Sequence, residues 1–219
     1  MTPMQPEDFA RFLHEQRASA ILRTRETSSA LPAMEAAIRG GFRIVEFTLS
    51  IPGALDLIRE FSTRPGLVAG AGTVLTPEDA DRCVEAGASF LVSPVCDPEV
   101  IARARDHHVA VIPGCATPTE MLHAWRAGAL LQKLFPEAGP GPSWVRQTLG
   151  PLPFLRIVPT SGVTLENARA YLNAGAHAVG LVQPLFPPDD LAGGRFDLIE
   201  HRARAFLASI QNGPCSFLP

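Results

Sequence analysis

The chain has 219 residues, of which 46% are hydrophobic and 19% charged, and its formal net charge is −3. This is the composition of an ordinary globular protein, long enough to bury a large core. The small negative charge gives no reason to expect nucleic acid or an anionic membrane as a partner, and no apolar run is long enough to span a bilayer.

The N-terminal residues 1–8 lack the basic and apolar regions of a signal peptide, so we expect a cytoplasmic location. None of the four cysteines is in a CxxC or metal-type spacing, and none of the six histidines is in an HxH or HExxH pattern. We therefore predict reduced cysteines and no protein-made metal site. The cysteines are Cys83, Cys96, Cys115 and Cys215.

An amphipathic helix is predicted first, over Pro6 to Gln16, with Phe9, Phe12 and Leu13 on one side. An apolar run follows and ends at Arg23. Thr27 is predicted to cap the next helix, which Gly40-Gly41 ends.

The same alternation then repeats along the chain. Eight apolar runs are candidate strands, spaced roughly 20–25 residues apart, which indicates a repeated supersecondary unit. Helix starts between them combine a capping residue with proline at Thr76-Pro77, Asp97-Pro98 and Thr117-Pro118, and Thr164 is a weaker variant. The predicted strands are 20–23, 43–48, 67–71, 90–93, 109–113, 130–135, 154–159 and 178–182.

Eight strand–helix units predict an α/β fold, a closed (β/α)8 TIM barrel with an extra N-terminal helix, as one domain over residues 1–219. The alternative is an open doubly wound sheet. No GxGxxG or GxxxxGK[ST] loop supports it, since Gly70-Ala71-Gly72-Thr73 lacks the third glycine. The polar, proline-containing segment 212–219 is typical of a frayed end.

Lys133 is the only lysine of the chain and lies in an apolar run that ends at Pro136. A buried ammonium without a partner tends to lose its proton, which leaves a nucleophilic amine able to form a Schiff base. Arginine stays protonated and cannot replace it. The alternative is a lysine that extends from a strand end to solvent.

Glu46 interrupts the second predicted strand. The two-residue alternation of a strand places Ile44, Glu46 and Thr48 on one face and Val45 and Phe47 on the other. If Val45 and Phe47 pack on the helices, Glu46 points into the barrel. There it either forms a structural ion pair or acts as acid and base for the amine chemistry.

Further candidates lie where predicted strands end, because chemistry gathers at the C-terminal mouth of such a barrel. Arg23 could bind a substrate carboxylate or form a surface ion pair. The segment Thr160-Ser161-Gly162 could cradle an anion or form a plain tight turn. Thr48, on the face of Glu46, is a further candidate for substrate binding.

Several motifs together resemble the KDPG/KHG aldolase family, the class I aldolases of 2-keto-3-deoxy-6-phosphogluconate and 4-hydroxy-2-oxoglutarate. The resemblance covers residues 18–182, with compatible order and spacing. The motifs are Val45-Glu46-Phe47-Thr48-Leu49, Gly70-Ala71-Gly72-Thr73-Val74-Leu75, Ser93-Pro94, Ile112-Pro113-Gly114-Cys115-Ala116-Thr117, Lys133-Leu134-Phe135-Pro136 and Pro159-Thr160-Ser161-Gly162-Val163.

The resemblance implies a (β/α)8 barrel, usually a homotrimer, that needs no metal or other cofactor beyond a covalent lysine Schiff base. It implies that Lys133 is the Schiff-base lysine and Glu46 the acid–base carboxylate. The residues matched to substrate binding are Thr73 for the pyruvate carboxylate, Pro94 and Phe135 for the pyruvate pocket, and Ser161 and Gly162 for part of the phosphate loop.

Two positions depart from the family pattern. Ser50 stands where many members have an arginine that helps to bind carboxylate, and we hypothesise that Arg23 supplies this charge. The Arg23 segment and Pro113-Gly114-Cys115-Ala116-Thr117 resemble the phosphogalactonate branch. The second departure is at the end of the eighth strand, where the family has a phosphate-binding Gly-Ser. This chain has Leu181-Val182 there, which supplies no hydroxyl, so a non-phosphorylated substrate is an open alternative.

The expected function is a class I aldolase, an aldehyde-lyase that cleaves a 2-keto-3-deoxy acid of the KDPG, KDPGal or 4-hydroxy-2-oxoglutarate type to pyruvate and an aldehyde. Two alternatives stay open. One is a barrel lyase or isomerase acting on a sugar phosphate, with Lys133 as a charge. The other is a non-catalytic binding or scaffold protein.

Overall fold

The computed structural model of the chain describes residues 4–137, 139 and 141–211. Of residue 211 it describes the backbone only. The predicted frayed segment 212–219, with Cys215, lies outside the described residues. The helices are α1 (Pro6–Gln16), α2 (Thr27–Arg39), α3 (Ala54–Ser62), α4 (Pro77–Glu85), α5 (Pro98–Asp106), α6 (Pro118–Arg126), α7 (Pro142–Leu149), α8 (Ala168–Asn173), α9 (Pro188–Ala192) and α10 (Phe196–Gln211).

The strands alternate with these helices and pair in parallel. Six form one sheet in the order β5-β4-β3-β2-β1-β9, and three form a second in the order β6-β7-β8. The strands are β1 (Ala18–Leu22), β2 (Ile44–Thr48), β3 (Val68–Gly72), β4 (Phe90–Val92), β5 (Ala110–Ile112), β6 (Gly114–Cys115), β7 (Gln132–Leu134), β8 (Ile157–Pro159) and β9 (Val179–Leu181).

Each of the eight predicted apolar runs overlaps an observed strand, and the predicted parallel α/β class is confirmed. The described residues form nine strands rather than eight, because β5 ends at Ile112 and β6 begins at Gly114. Pro113 between them has no N–H to donate to a ladder. Its carbonyl accepts a hydrogen bond from Lys133 N at 2.9 Å, so the chain pairs with β4 before the proline and with β7 after it.

Two apolar clusters lie on the two faces of the sheets. Val45 and Phe47 belong to the larger cluster, which contains the buried residues of the helices, whereas Ile44 belongs to a smaller one. The two-residue alternation predicted for β2 is therefore confirmed. Glu46 shares the face of Ile44, the face that turns away from the helices that follow the strands.

The predicted N-terminal helix has the bounds expected from its sequence, and it packs against the smaller cluster. Phe9 and Leu13 are buried there, and the ring of Phe9 stacks on that of Phe90 with the centroids 4.5 Å apart. His177, which precedes β9, holds the helix through a 2.8 Å hydrogen bond between its Nε2 and Ala10 O. This end of the strands is thus closed by apolar side chains.

The helix caps predicted at Thr76, Asp97 and Thr117 are confirmed, since each side chain accepts a hydrogen bond from a backbone N–H of the first helical turn. Two other caps were predicted wrongly. Thr27 is the first residue of α2, whose cap is Glu26, and α8 begins only at Ala168. Thr164 instead exchanges hydrogen bonds with Asn167 in the turn before that helix.

Among the helices of the described part of the chain, none combines the length and the apolar character needed to cross a bilayer.

Candidate active site

Lys133 is fixed by the short strand β7, which runs between β6 and β8. Its backbone pairs with Gly114 on one side and with Val158 on the other. The neighbouring Gln132 is fully buried on the opposite face, where its amide donates to Ala129 O at 2.7 Å and accepts from Arg156 N at 3.0 Å. These bonds tie β7 to the approach of β8, which fixes the direction of the Lys133 side chain.

The amine of Lys133 lies in a dry environment. The residue is 8% exposed, and its Nζ lies 4.8 Å from the centroid of the Phe135 ring. Burial lowers the pKa of Lys133, and the positive charge of Arg23 adds to this, while Glu46 opposes it. The side chain does not extend into solvent, so the structure contradicts the alternative of a lysine that snorkels from a strand end.

Glu46 is held on the same side of the sheet by β2 and is 3% exposed. Its carboxylate lies directly over Gly72 of β3, where an added Cβ would overlap Glu46 Oε1. Burial raises the pKa of Glu46, and the charges of Lys133 and Arg23 lower it less than burial raises it. Because residue 72 is a glycine, the Glu46 carboxylate has room to lie against β3.

Glu46 and Lys133 interact through their charges without a direct ion pair among the described residues. Burial drives both toward their uncharged forms, because a charge held out of water is costly. A neutral amine beside a protonated carboxyl group can attack a carbonyl carbon and then supply the proton for loss of water.

Arg23 and Thr73 meet at the carboxyl ends of β1 and β3. The Arg23 Nη2 lies 3.4 Å from Thr73 Oγ1, and the guanidinium is otherwise exposed. Thr48, the last residue of β2, shares a 2.8 Å hydrogen bond with Ser50 Oγ. A ligand can reach the exposed guanidinium and the partly buried Thr73, whereas Thr48 is buried and its hydroxyl bonds to Ser50.

Pro94 follows β4 at the same end and is partly buried. Its carbonyl packs so closely on Gly114 that a Cβ added there would overlap it. Phe135, partly buried, directly follows the last residue of β7. These two residues and the amine thus lie at the mouth formed by β4, β6 and β7.

The segment Thr160–Gly162 follows β8 at this end as well. Thr160 Oγ1 is buried and has no hydrogen-bond partner in the described part of the chain. Gly162 adopts a φ of +70°, and its carbonyl accepts a 2.8 Å hydrogen bond from Asn167 Nδ2. Ser161 is partly buried between them. The open face of Gly162 is covered by the carboxylate of Glu137.

Sequence reasoning missed two structural features of this region. Gly72 appeared only as part of a motif, although it makes room for Glu46. Glu137 was not singled out at all, although it stands directly after the Lys133-Leu134-Phe135-Pro136 motif. The sequence did contain a signal for Glu137, because it is an acidic residue in the loop that directly follows the strand of Lys133.

No group of three or more histidine, cysteine, aspartate or glutamate side chains that could hold a metal ion occurs among residues 4–137, 139 and 141–211.

Comparison with known proteins gives a consistent result. The family model for KDPG and KHG aldolases matches residues 10–200. The chain is 39% identical over 160 residues to the 2-dehydro-3-deoxy-phosphogluconate aldolase of Pseudomonas aeruginosa, covering 72% of this chain and 73% of that protein. It is 35% identical over 196 residues to the 2-dehydro-3-deoxy-6-phosphogalactonate aldolase of Escherichia coli, covering 86% and 91%.

A solved structure is similar over most of its length. The KDPG aldolase of Legionella pneumophila, captured with pyruvate at low pH as a covalent carbinolamine intermediate, has a TM-score of 0.82 and 28% sequence identity. The match covers 93% of this chain and 98% of that one.

Proposed function

The chain belongs to the KDPG and KHG aldolase family, and on that premise we propose that Lys133 and Glu46 are the residues through which it cleaves a 2-keto-3-deoxy acid to pyruvate and an aldehyde. The chain is a class I aldolase and thus an aldehyde-lyase. The observation that carries the assignment of Lys133 is a single buried lysine whose pKa is lowered by burial beside a buried carboxyl group.

The reaction begins with the neutral Lys133 amine, which attacks the C2 ketone of the substrate to give a carbinolamine. Protonated Glu46 donates a proton to the departing hydroxyl, so that water leaves and an iminium forms. Burial raises the pKa of Glu46, which favours this protonated form.

Cleavage follows from the iminium, which withdraws the electron pair of the C3–C4 bond. Glu46, now a carboxylate, removes the proton of the C4 hydroxyl directly or through a water, and the aldehyde leaves. The remaining enamine takes a proton at C3, and water hydrolyses the iminium to release pyruvate and the free amine. The covalent iminium is the electron sink, so we expect no external cofactor and no inhibition by EDTA.

The keto-acid end of the substrate has candidate partners at the mouth. We assign its carboxylate to Arg23 and Thr73, whose side chains already meet, and its C3 methylene, which becomes the methyl group of pyruvate, to Pro94 and Phe135. Thr48 is a weaker candidate because its hydroxyl bonds to Ser50. An unchanged KM for the keto acid in Arg23→Ala would rule out the role of Arg23.

For the fold, we propose that the two ladders form one closed (β/α)8 barrel and one domain. The chain continues from β5 to β6 through a single proline, which supports closure on one side. On the other side, His177 N donates to Ile157 O at 2.8 Å and joins β8 to the approach of β9.

For the assembly, we propose a homotrimer, as the family resemblance implies. Large apolar side chains that are 41–51% exposed supply candidate contacts. They are Leu75, Val95, Trp125, Phe154 and Leu198. Light scattering on the purified protein would test the trimer, and cell fractionation would test the cytoplasmic location, which stays a prediction.

Borohydride reduction in the presence of pyruvate tests the catalytic assignment. Because the chain has one lysine, a mass increase on the peptide of residue 133 identifies the nucleophile without ambiguity. Lys133→Arg keeps the charge but should form no adduct and show no turnover, since guanidinium stays protonated. A wild-type protein without an adduct would contradict the scheme and favour a non-covalent sugar-phosphate enzyme or a binding protein.

A further inference from the structure

We propose that Glu137 is a specificity residue that closes the loop after β8 to phosphate and selects substrates whose distal end carries uncharged hydroxyl groups. The distal end is the part released as the aldehyde. This inference rests on the proposed function and deepens it, because it names the class of aldehyde.

Glu137 lies at the mouth that holds the candidate nucleophile. Leu134, the last residue of β7, is the register partner of Pro159, the last residue of β8. The chain beyond both strands therefore emerges at the same edge. Glu137 follows β7 by three residues, and Gly162 follows β8 by three residues. A substrate bound to Lys133 must extend past one of these loops or along both.

The carboxylate of Glu137 occupies the open face of Gly162. A Cβ added at Gly162 would overlap the Glu137 carboxyl carbon and both of its oxygens. The positive φ of Gly162 and its missing side chain would otherwise suit the close approach of an anion to the backbone. In this chain, the space beside that backbone already contains a negatively charged group.

A buried tyrosine holds the carboxylate in place. Tyr171 on α8 is fully buried, and its hydroxyl donates to Glu137 Oε1 at 3.3 Å. It is the only tyrosine of the chain. Burial and the neighbouring Glu137 raise the pKa of Tyr171 to about 12, so that it stays a donor at any ordinary pH. Glu137 is itself exposed, and this hydrogen bond is the contact that keeps its carboxylate over Gly162.

The chemistry of the region favours hydroxyl groups over phosphate. A phosphate dianion would meet the Glu137 charge within a few ångströms, which is repulsive. A sugar hydroxyl could instead donate a hydrogen bond to the Glu137 carboxylate, which accepts only. Val182, just after β9, adds no hydroxyl to this end. The expected substrate is a 2-keto-3-deoxy acid with a neutral polyhydroxylated end.

The test compares 2-keto-3-deoxygluconate and its C4 epimer 2-keto-3-deoxygalactonate with their 6-phosphates. For the wild-type protein we expect the plain acid of the preferred epimer to have at least a tenfold higher kcat/KM than its phosphate. Glu137→Gln keeps the shape and removes the charge. It should lower that preference about tenfold through a lower KM for the phosphate. Glu137→Ser, which also opens the space, should lower it further.

Glu85→Gln is the matched control, because this exposed glutamate ends α4 and contacts none of these groups. It should leave the preference unchanged. A wild-type preference for the phosphates, or an equal ratio in Glu137→Gln and wild type, would overturn the inference.

Trapping of the wild-type protein with pyruvate distinguishes a failure of the role of Glu137 from a failure of the proposed function, because pyruvate has no distal end. A Lys133 adduct together with a preference for the phosphates overturns the role of Glu137 alone. Absence of the adduct overturns the proposed catalytic scheme and this inference with it.

Discussion

Replacing Gly72 by alanine should damage catalysis with little effect on the fold. The added Cβ would overlap Glu46 Oε1, whereas its next neighbours are Glu46 Cδ at 3.2 Å and Val92 Cβ at 3.4 Å. Val92 is thus close to an ordinary contact distance, and the carboxylate is the group that must move. A shift of roughly 1 Å restores van der Waals separation, and a misplacement of that size costs about 100-fold in rate.

The effect has an upper bound set by the role of Glu46. General acid–base catalysis contributes about 10²–10⁴-fold, so a displaced carboxylate should not cost more than its removal. We expect kcat of Gly72→Ala to fall about 100-fold and to lie above that of Glu46→Gln. The measurements are kcat for release of pyruvate from the keto acid and the free energy of unfolding in urea.

Gly70→Ala is the matched control on the same strand and the same face. Its added Cβ would overlap the ring of Phe90, which lies in the apolar cluster and not in the active site. Overpacking there should cost about 1–3 kcal/mol of stability while the folded molecules keep their kcat. If Gly72→Ala folds and turns over within about threefold of wild type, Glu46 does not act from the position described, since the expected loss is about 100-fold.

Three further predictions concern the same region and one helix. The pKa of Lys133 is lowered, so pyruvate trapping should extend below pH 10.5 and decline as the pH falls through the lowered value. Lys133→Met should abolish trapping, because a thioether forms no Schiff base, and urea unfolding should show that the variant is still folded. Thr117→Ala should cost about 0.5–2 kcal/mol in the same assay, because it removes the capping box formed with Glu120.

The stability of the protein should also follow the titration of Lys133. Between its lowered pKa in the folded state and about 10.4 in the unfolded state, the unfolded chain binds more protons, so stability rises with pH across that interval. In Lys133→Met the part of this rise that Lys133 causes should be absent. Measuring the free energy of unfolding against pH for the wild type and the variant would detect the difference.

The strands could be predicted from sequence because their signal is local. Each is a short apolar run between loops, and the alternation in β2 already separates Glu46 from its neighbours Val45 and Phe47. The helix starts at Thr76, Asp97 and Thr117 were equally visible, since capping depends on residues within one turn. By contrast, α3 begins after Gly53 with no side-chain cap, so its start carried no such signal.

The contacts that refine the site could not be predicted, because they join loops distant in sequence. Gly162 and Glu137 are 25 positions apart, and nothing in either segment indicates that one fills the space of the other. The contact between Tyr171 and Glu137 is a further example. The anion cradle expected at Thr160-Ser161-Gly162 was predicted from the local composition alone. That composition does not show that the carboxylate of Glu137, in the loop after β7, covers Gly162.

The polar residues inside the sheets are concentrated at one end, and this asymmetry follows from the chain itself. Phe9 and Leu13 of α1 close the opposite end with apolar side chains, and Phe90 stacks on Phe9 there. Because these apolar side chains close the end near α1, we expect water and protons to reach Glu46 and Lys133 from the mouth, where the substrate enters. A bound substrate would cut this supply, so the proton used to expel water from the carbinolamine must already be on Glu46 when the substrate arrives. Burial raises the pKa of Glu46 and so shifts the group toward the protonated form that this step needs.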